Sequence, residues 1–197
     1  MAIKPILFNK EMVRAILDGR KTCTRRIIKA EKVDNVLNSP ARKSNPDIPD
    51  AQFIKCLVDM KYEPGDILYV RETWYKSPLR YMYRADYSNT EQFYTDGKEV
   101  NIKWHPSIHM SKEAARIWLR VTDVRVERLQ DITIDDIRGE GLSSVAVHAG
   151  DMEIALEEWK MLWNSTIKKS DIDRYGWDAN PWVWAIEFER CEKPEGV

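Results

Sequence analysis

The sequence predicts a β-rich α+β fold, a mixed-strand, barrel-like sheet with short helices at its periphery. Two observations carry that expectation. Runs rich in β-branched and aromatic residues recur at 22–28, 67–71, 79–85, 111–126 and 182–190. Short helical patterns lie between them without regular βαβ alternation, which disfavours a doubly wound parallel sheet.

Asn9 caps a first helix over 10–18, where Met12, Val13, Ile16 and Leu17 share a face and Gly19 is the stop. A strand follows at 22–28. Residues 31–62 read as an insertion, because Ser39-Pro40, Asn45-Pro46 and Pro49 are turn or breaker signals. Pro64-Gly65-Asp66 turns the chain into the strand at 67–71. Residues 79–85 form a second strand candidate, and 87–110 read as a polar excursion. Ile117, Leu119 and Val121 alternate before the parity shifts to Val124 and Val126, which suggests a bulge at Thr122-Asp123. Thr133 opens a short helix, with Asp136 in a capping-box position and Gly141 at its end. Asp151 caps the best amphipathic helix, which places Ala155, Trp159, Leu162 and Trp163 together. The last strand alternates Trp182, Trp184, Ile186 and Phe188. The whole chain, 1–197, reads as a single domain carrying the two excursions.

The chain has 197 residues, 43% of them hydrophobic and 32% charged, which is enough apolar surface to exclude a disordered chain. A formal net charge of −1 excludes a protein that coats duplex nucleic acid by counterion release, so any such contact is local. The cysteines, Cys23, Cys56 and Cys191, are few and scattered, which fits a reducing compartment and gives no zinc spacing. No signal peptide or membrane-length apolar run is read, and the expected location is the cytoplasm. No metal or other cofactor is expected. His105 and His109 flank Pro106, and Asp171, Asp173 and Asp178 are followed by Trp182 where a calcium loop needs Glu.

The densest chemical cluster is Gly19-Arg20-Lys21-Thr22-Cys23-Thr24-Arg25-Arg26. Four cations and two hydroxyls within seven residues suit a phosphate or an electron-rich base edge. A solvated basic edge strand would have the same composition. On a strand, Thr22, Thr24 and Arg26 face one way and Cys23 and Arg25 the other. Arg71-Glu72-Thr73-Trp74 sets an ion-pairing couple beside an indole; Trp74 and Tyr69 are candidate stacking surfaces, or simply caps on the core. Tyr175, Trp177, Trp182 and Trp184 cluster around Asn180-Pro181, as a plug at one end of the sheet or as a base-stacking surface.

With these residues in view, the chain resembles the ASCH family, whose fold is a PUA-like β-barrel. The resemblance rests on Gly19-x-Lys21-x-x-Thr24-x-Arg26, on Gly65-Asp66 before a strand, on Thr133 through Glu140-Gly141, and on the closing Ile186-Glu187-Phe188. Val70-Arg71-Glu72-Thr73-Trp74, the stretch from Trp104 to Met110 and Asn180-Pro181-Trp182-Val183-Trp184 resemble the ASCH proteins of bacteriophages and prophages. The resemblance implies nucleotide or RNA handling. One ASCH branch, an amidohydrolase of acetylcytidine, implies catalytic roles for Lys21, Thr24 and Glu140. Arg20, Arg25, Arg26, Tyr69, Arg71, Glu72 and Trp74 would then bind a nucleoside or single-stranded RNA. A binding module without catalysis, a single-strand ribonuclease and a phage assembly protein are the alternatives. Strand alternation opposes Lys21 and Thr24, so hydrolysis requires a bend between them.

Overall fold

The computed structural model describes residues 1–95 and 98–196. Asp96 and Gly97, inside the 87–110 excursion, lie outside the described residues. The strands are β1 (Ile3–Leu7), β2 (Cys23–Ile27), β3 (Ile67–Arg71), β4 (Trp74–Lys76), β5 (Tyr81–Tyr83), β6 (Phe93–Thr95), β7 (Lys98–Val100), β8 (Trp118–Arg128) and β9 (Trp182–Cys191). The helices are α1 (Lys10–Leu17), α2 (Ala30–Leu37), α3 (Pro40–Ser44), α4 (Asp50–Leu57), α5 (Ile134–Gly139), α6 (Val145–Ala149), α7 (Met152–Thr166) and α8 (Ile172–Tyr175). The chain is thus α+β. Among the described residues no helix is long and apolar enough to cross a membrane.

The main sheet is mixed and five-stranded, in the order β1-β3-β8-β9-β2. It is open, with β1 and β2 as its edges, and this corrects the expected closed barrel. Local chemistry opposes closure at both edges. Pro5 in β1 has no N–H to donate to a further strand. The outer edge of β2 is met at its start by the end of α5, where the Thr22 N–H donates to the Gly139 carbonyl at 2.8 Å.

The chain divides into two compact units. The first comprises 1–19, 65–120 and 189–197. Here β1 runs parallel to β3, with Ile3 beside Ile67 and Leu7 beside Arg71, and the start of β8 pairs antiparallel on the other side of β3. Strand β1 carries no alternating pattern in the sequence. Asp66 fixes it, accepting from the Ala2 N–H at 2.8 Å and from Lys4 Nζ at 2.6 Å. Ile67, Met110, Ala114 and Trp118 form a core against which Tyr69, Trp74 and Tyr83 pack. Asn9 caps α1 as expected, its side chain accepting from the Met12 N–H at 2.8 Å.

The second unit comprises 20–64 and 121–188. Strand β2 pairs antiparallel with β9, setting Cys23 opposite Glu187 and Arg25 opposite Ala185. The core joins Leu129, Ile137, Val147 and Val183 to Ala155, Trp159 and Trp163 of α7. In β8 the buried positions shift from Val121 to Val124 and Val126, the parity slip read from the sequence. The 31–62 segment differs from the expected turn-rich insertion, for it holds three helices. Ser39 caps α3 with Pro40 in its first turn, and Pro49 precedes α4. These prolines start helices, where a missing N–H costs nothing.

Candidate functional site

In the second unit, β2 leaves Gly19 and runs along the end of α5. Helix α5 begins with a complete capping box, in which the Thr133 hydroxyl accepts from the Asp136 N–H while Asp136 accepts from the Thr133 N–H. It ends at Gly139, so Glu140 emerges from the last turn beside the start of β2, bridged to Lys21. Gly141 follows at φ 95°, a left-handed conformation that glycine adopts without strain.

Lys21 Nζ lies 2.7 Å from Glu140 Oε2 and donates to the Glu140 carbonyl oxygen at 2.9 Å. Arg25 Nη1 approaches Glu140 Oε1 at 3.3 Å, so both carboxylate oxygens are engaged. The Lys21 and Arg25 side chains are fully buried and that of Glu140 is 2% exposed. Arg25 Nε also donates to Glu127 Oε1 at 2.8 Å. Its Nη2 is in ion-pair contact with Glu127 at 2.6 Å and with Asp136 at 3.1 Å. Arg125 completes the network through Glu127, Asp136 and Glu187. Three cations thus face four carboxylates around the Cys23 thiol, which lies 3.6 Å from Arg25 Nη1.

The environment acts on the titrating groups. Burial, reinforced by Glu140, pushes the Cys23 thiol from 9.0 up to about 12. Asp136 pays a burial penalty too, but its bonds to Thr133 and the nearby Arg25 outweigh it and hold the carboxyl below its ordinary value. As arranged, the cluster is an ion network in which each cation faces at least one carboxylate. A ligand oxygen would engage Lys21 and Arg25 by displacing Glu140 as their acceptor.

Of the sequence candidates, Lys21, Arg25 and Glu140 come together. Arg20 sits beside them, donating to the Gly141 carbonyl. Thr24 is buried, and alternation along β2 turns it to the face opposite Cys23 and Arg25. Arg26 shares that parity, and burial lowers its pKa. Sequence reasoning missed Cys23, Arg125, Glu127 and Glu187 and read Asp136 only as a cap. Arg125 and Glu127 did carry a signal, since they alternate with Val124 and Val126 along β8.

Tyr69, Arg71, Glu72 and Trp74 belong to the first unit, where their partners are internal. Arg71 donates to the Met110 carbonyl at 2.8 Å and the Ile108 carbonyl at 2.6 Å. Glu72 is buried and receives a two-pronged contact from Arg116, at 2.9 and 3.0 Å. Burial raises the Glu72 carboxyl above its ordinary value, opposed by Arg116. Arg116 also stacks over the Tyr83 ring at 4.0 Å. Trp74 packs between Tyr81 and His105, and Tyr69 against Trp118. Among the described residues, no group of three or more His, Cys, Asp or Glu is placed to hold a metal ion.

No family model and no curated protein matches the chain. Two solved structures are similar to it along nearly its whole length. The ASCH domain from Lactobacillus crispatus JV V101 shares 10% identity, with 96% of this chain and 79% of that one covered and a TM-score of 0.40. A hypothetical protein shares 14% identity, with 97% and 100% covered and a TM-score of 0.39.

Proposed function

We propose that the chain is an ASCH-type, PUA-like domain that binds a nucleotide or single-stranded RNA, with Lys21, Arg25 and Glu140 at the centre of its site. The observation that carries this reading is the 2.7 Å approach of Lys21 to Glu140 across 119 positions of sequence. The motif lysine and the distant glutamate that the resemblance couples do meet. Binding works by exchange. A phosphate or base oxygen takes the place of the Glu140 carboxylate before Lys21 and Arg25, with Arg20 beside them. The domain is taken as 1–197, with 31–62 and 87–110 as its excursions.

Filter binding of labelled single-stranded RNA tests this reading. Affinity falls with salt by a log–log slope of about −0.7 per neutralised phosphate, and few phosphates are involved because the cations are few. Absence of binding by RNA and by nucleotides at low salt overturns the reading.

The same Lys21–Glu140 approach favours a second, catalytic reading, hydrolysis of an acylated nucleoside such as acetylcytidine to cytidine and acetate. The placement of Thr24 on the opposite face of β2 weighs against a Thr24 nucleophile paired with Lys21. Chromatography of acetylcytidine incubated with the protein separates the two readings. Release of cytidine that is lost in Glu140→Gln supports hydrolysis, and no release leaves the binding reading.

A further inference from the structure

A second concave site lies wholly within the second unit, at the aromatic cluster around Asn180-Pro181. It is a cavity of about 200 Å³. Helix α2 forms one wall with Val33 and Asp34; Arg128, Arg174, Tyr175, Pro181 and Trp182 form the other. The Tyr175 hydroxyl ties the walls together by accepting from the Ala30 N–H at 3.3 Å.

The polar groups of this cavity are held in place and incompletely used. Arg128 lies over the Trp182 ring at 4.3 Å, and its Nη1 donates to the Asn180 carbonyl at 2.9 Å. Asn180 is in the left-handed region, φ 44° and ψ 57°, and its side chain accepts from the Gln130 N–H at 2.9 Å. Among the described residues, the Asn180 carbonyl is the one acceptor the Arg128 guanidinium meets, the backbone N–H of Arg128 going to Asp131, so Nε and Nη2 keep their donors. The Trp182 indole N–H is buried with no acceptor in the protein. A buried donor without a partner carries a penalty that a ligand acceptor relieves. Asp34 is exposed at the rim, its carboxylate offering the complementary acceptor.

The geometry points to a pocket for a single guanine base. The volume takes a fused planar ring and leaves ribose and phosphate outside. Apolar walls at Val33 and Pro181 suit the ring faces. Guanine presents two adjacent acceptors, O6 and N7, to which arginine binds bidentately. Its N1–H and N2–H donors suit a carboxylate such as Asp34. This pocket uses none of the Lys21–Glu140 cluster and shares with the proposed function only its class of ligand.

The test follows the indole N–H resonance of Trp182 in ¹⁵N-labelled protein, assigned by its loss in Trp182→Phe. GMP is expected to move it, with AMP, CMP and UMP at least about tenfold weaker and ribose 5-phosphate without effect. Arg128→Lys keeps the charge but loses the planar fork, and is expected to weaken GMP about tenfold. The wild-type titration stands alone if that variant does not fold. Equal binding of another base, a shift caused by ribose 5-phosphate, or no shift at all overturns the assignment. The readout is local. A silent resonance beside intact RNA binding sinks the pocket alone, and a responding one beside absent RNA binding sinks only the Lys21–Glu140 reading.

Discussion

Glu140 accepts from Lys21 and Arg25 at once inside the second unit, and all three side chains are buried. Removing one partner of a buried pair leaves the other uncompensated, so Glu140→Gln is expected to cost about 3–5 kcal/mol, read from urea unfolding. Replacing the pair together, Lys21→Met with Glu140→Leu, is expected to cost less than the sum of the two single changes. Cys23 gives a second outcome with a definite sign. Its folded pKa is raised from 9.0 to about 12, so the unfolded chain releases this proton first. Its contribution is therefore complete below 9.0 and is lost as pH rises toward 12. Unfolding free energy measured through that range should fall less steeply in Cys23→Ala than in the unchanged protein. The folded thiol should also resist alkylation near neutral pH while the exposed Cys56 reacts, as peptide mass spectrometry would show. At this scale the sequence was partly legible. Strand alternation put Cys23 and Arg25 on one face, but nothing in the spacing could place Glu140 against Lys21. Only the family resemblance suggested that pair.

Helix caps were the most readable elements, because a cap is written in three or four adjacent residues. Asn9, Thr133 and Asp151 each start the helix expected of them. Thr133→Ala breaks the capping box of α5, and a loss of about 1 kcal/mol in thermal or urea unfolding is expected. Asp136 would lose the hydroxyl bond that helps hold it ionised beside Arg25 and Arg125. Other elements were misread for identifiable reasons. The prolines at 40 and 49 read as breakers, yet both stand where a helix starts and no N–H is required. Strand β1 escaped because Lys4 and Pro5 interrupt any alternation, and the parallel pairing with β3 and the Asp66 bonds that define it are long-range. For Arg71-Glu72, a charged pair beside an indole, the sequence could not show the internal partners. Those partners, the carbonyls at 108 and 110 and the Arg116 guanidinium, lie 37 to 44 residues away.

At the scale of the whole molecule, positive and negative charge nearly balance. The net value is −1, yet two internal ion networks gather arginines against carboxylates, one around Arg25 and Arg125 and one around Arg116. A chain of that kind has little long-range attraction for polyanions, so added salt should weaken RNA binding only modestly. A steep decline would point to a surface contact outside the Lys21–Glu140 cluster. The mixed α+β character was legible at this scale, whereas the large share of helix and the open edges of the sheet were not. Closure depends on what meets each edge, and that is decided by long-range contacts such as Thr22 with Gly139. Asn180 carries a consequence of its own. One left-handed residue supplies its carbonyl to Arg128 and its amide oxygen to the chain after β8, so backbone shape and side-chain chemistry can be separated there. Glycine at 180 would preserve the bend and the grip on Arg128 while releasing Gln130. A β-branched residue would oppose the bend itself, freeing the guanidinium from its seat over the indole.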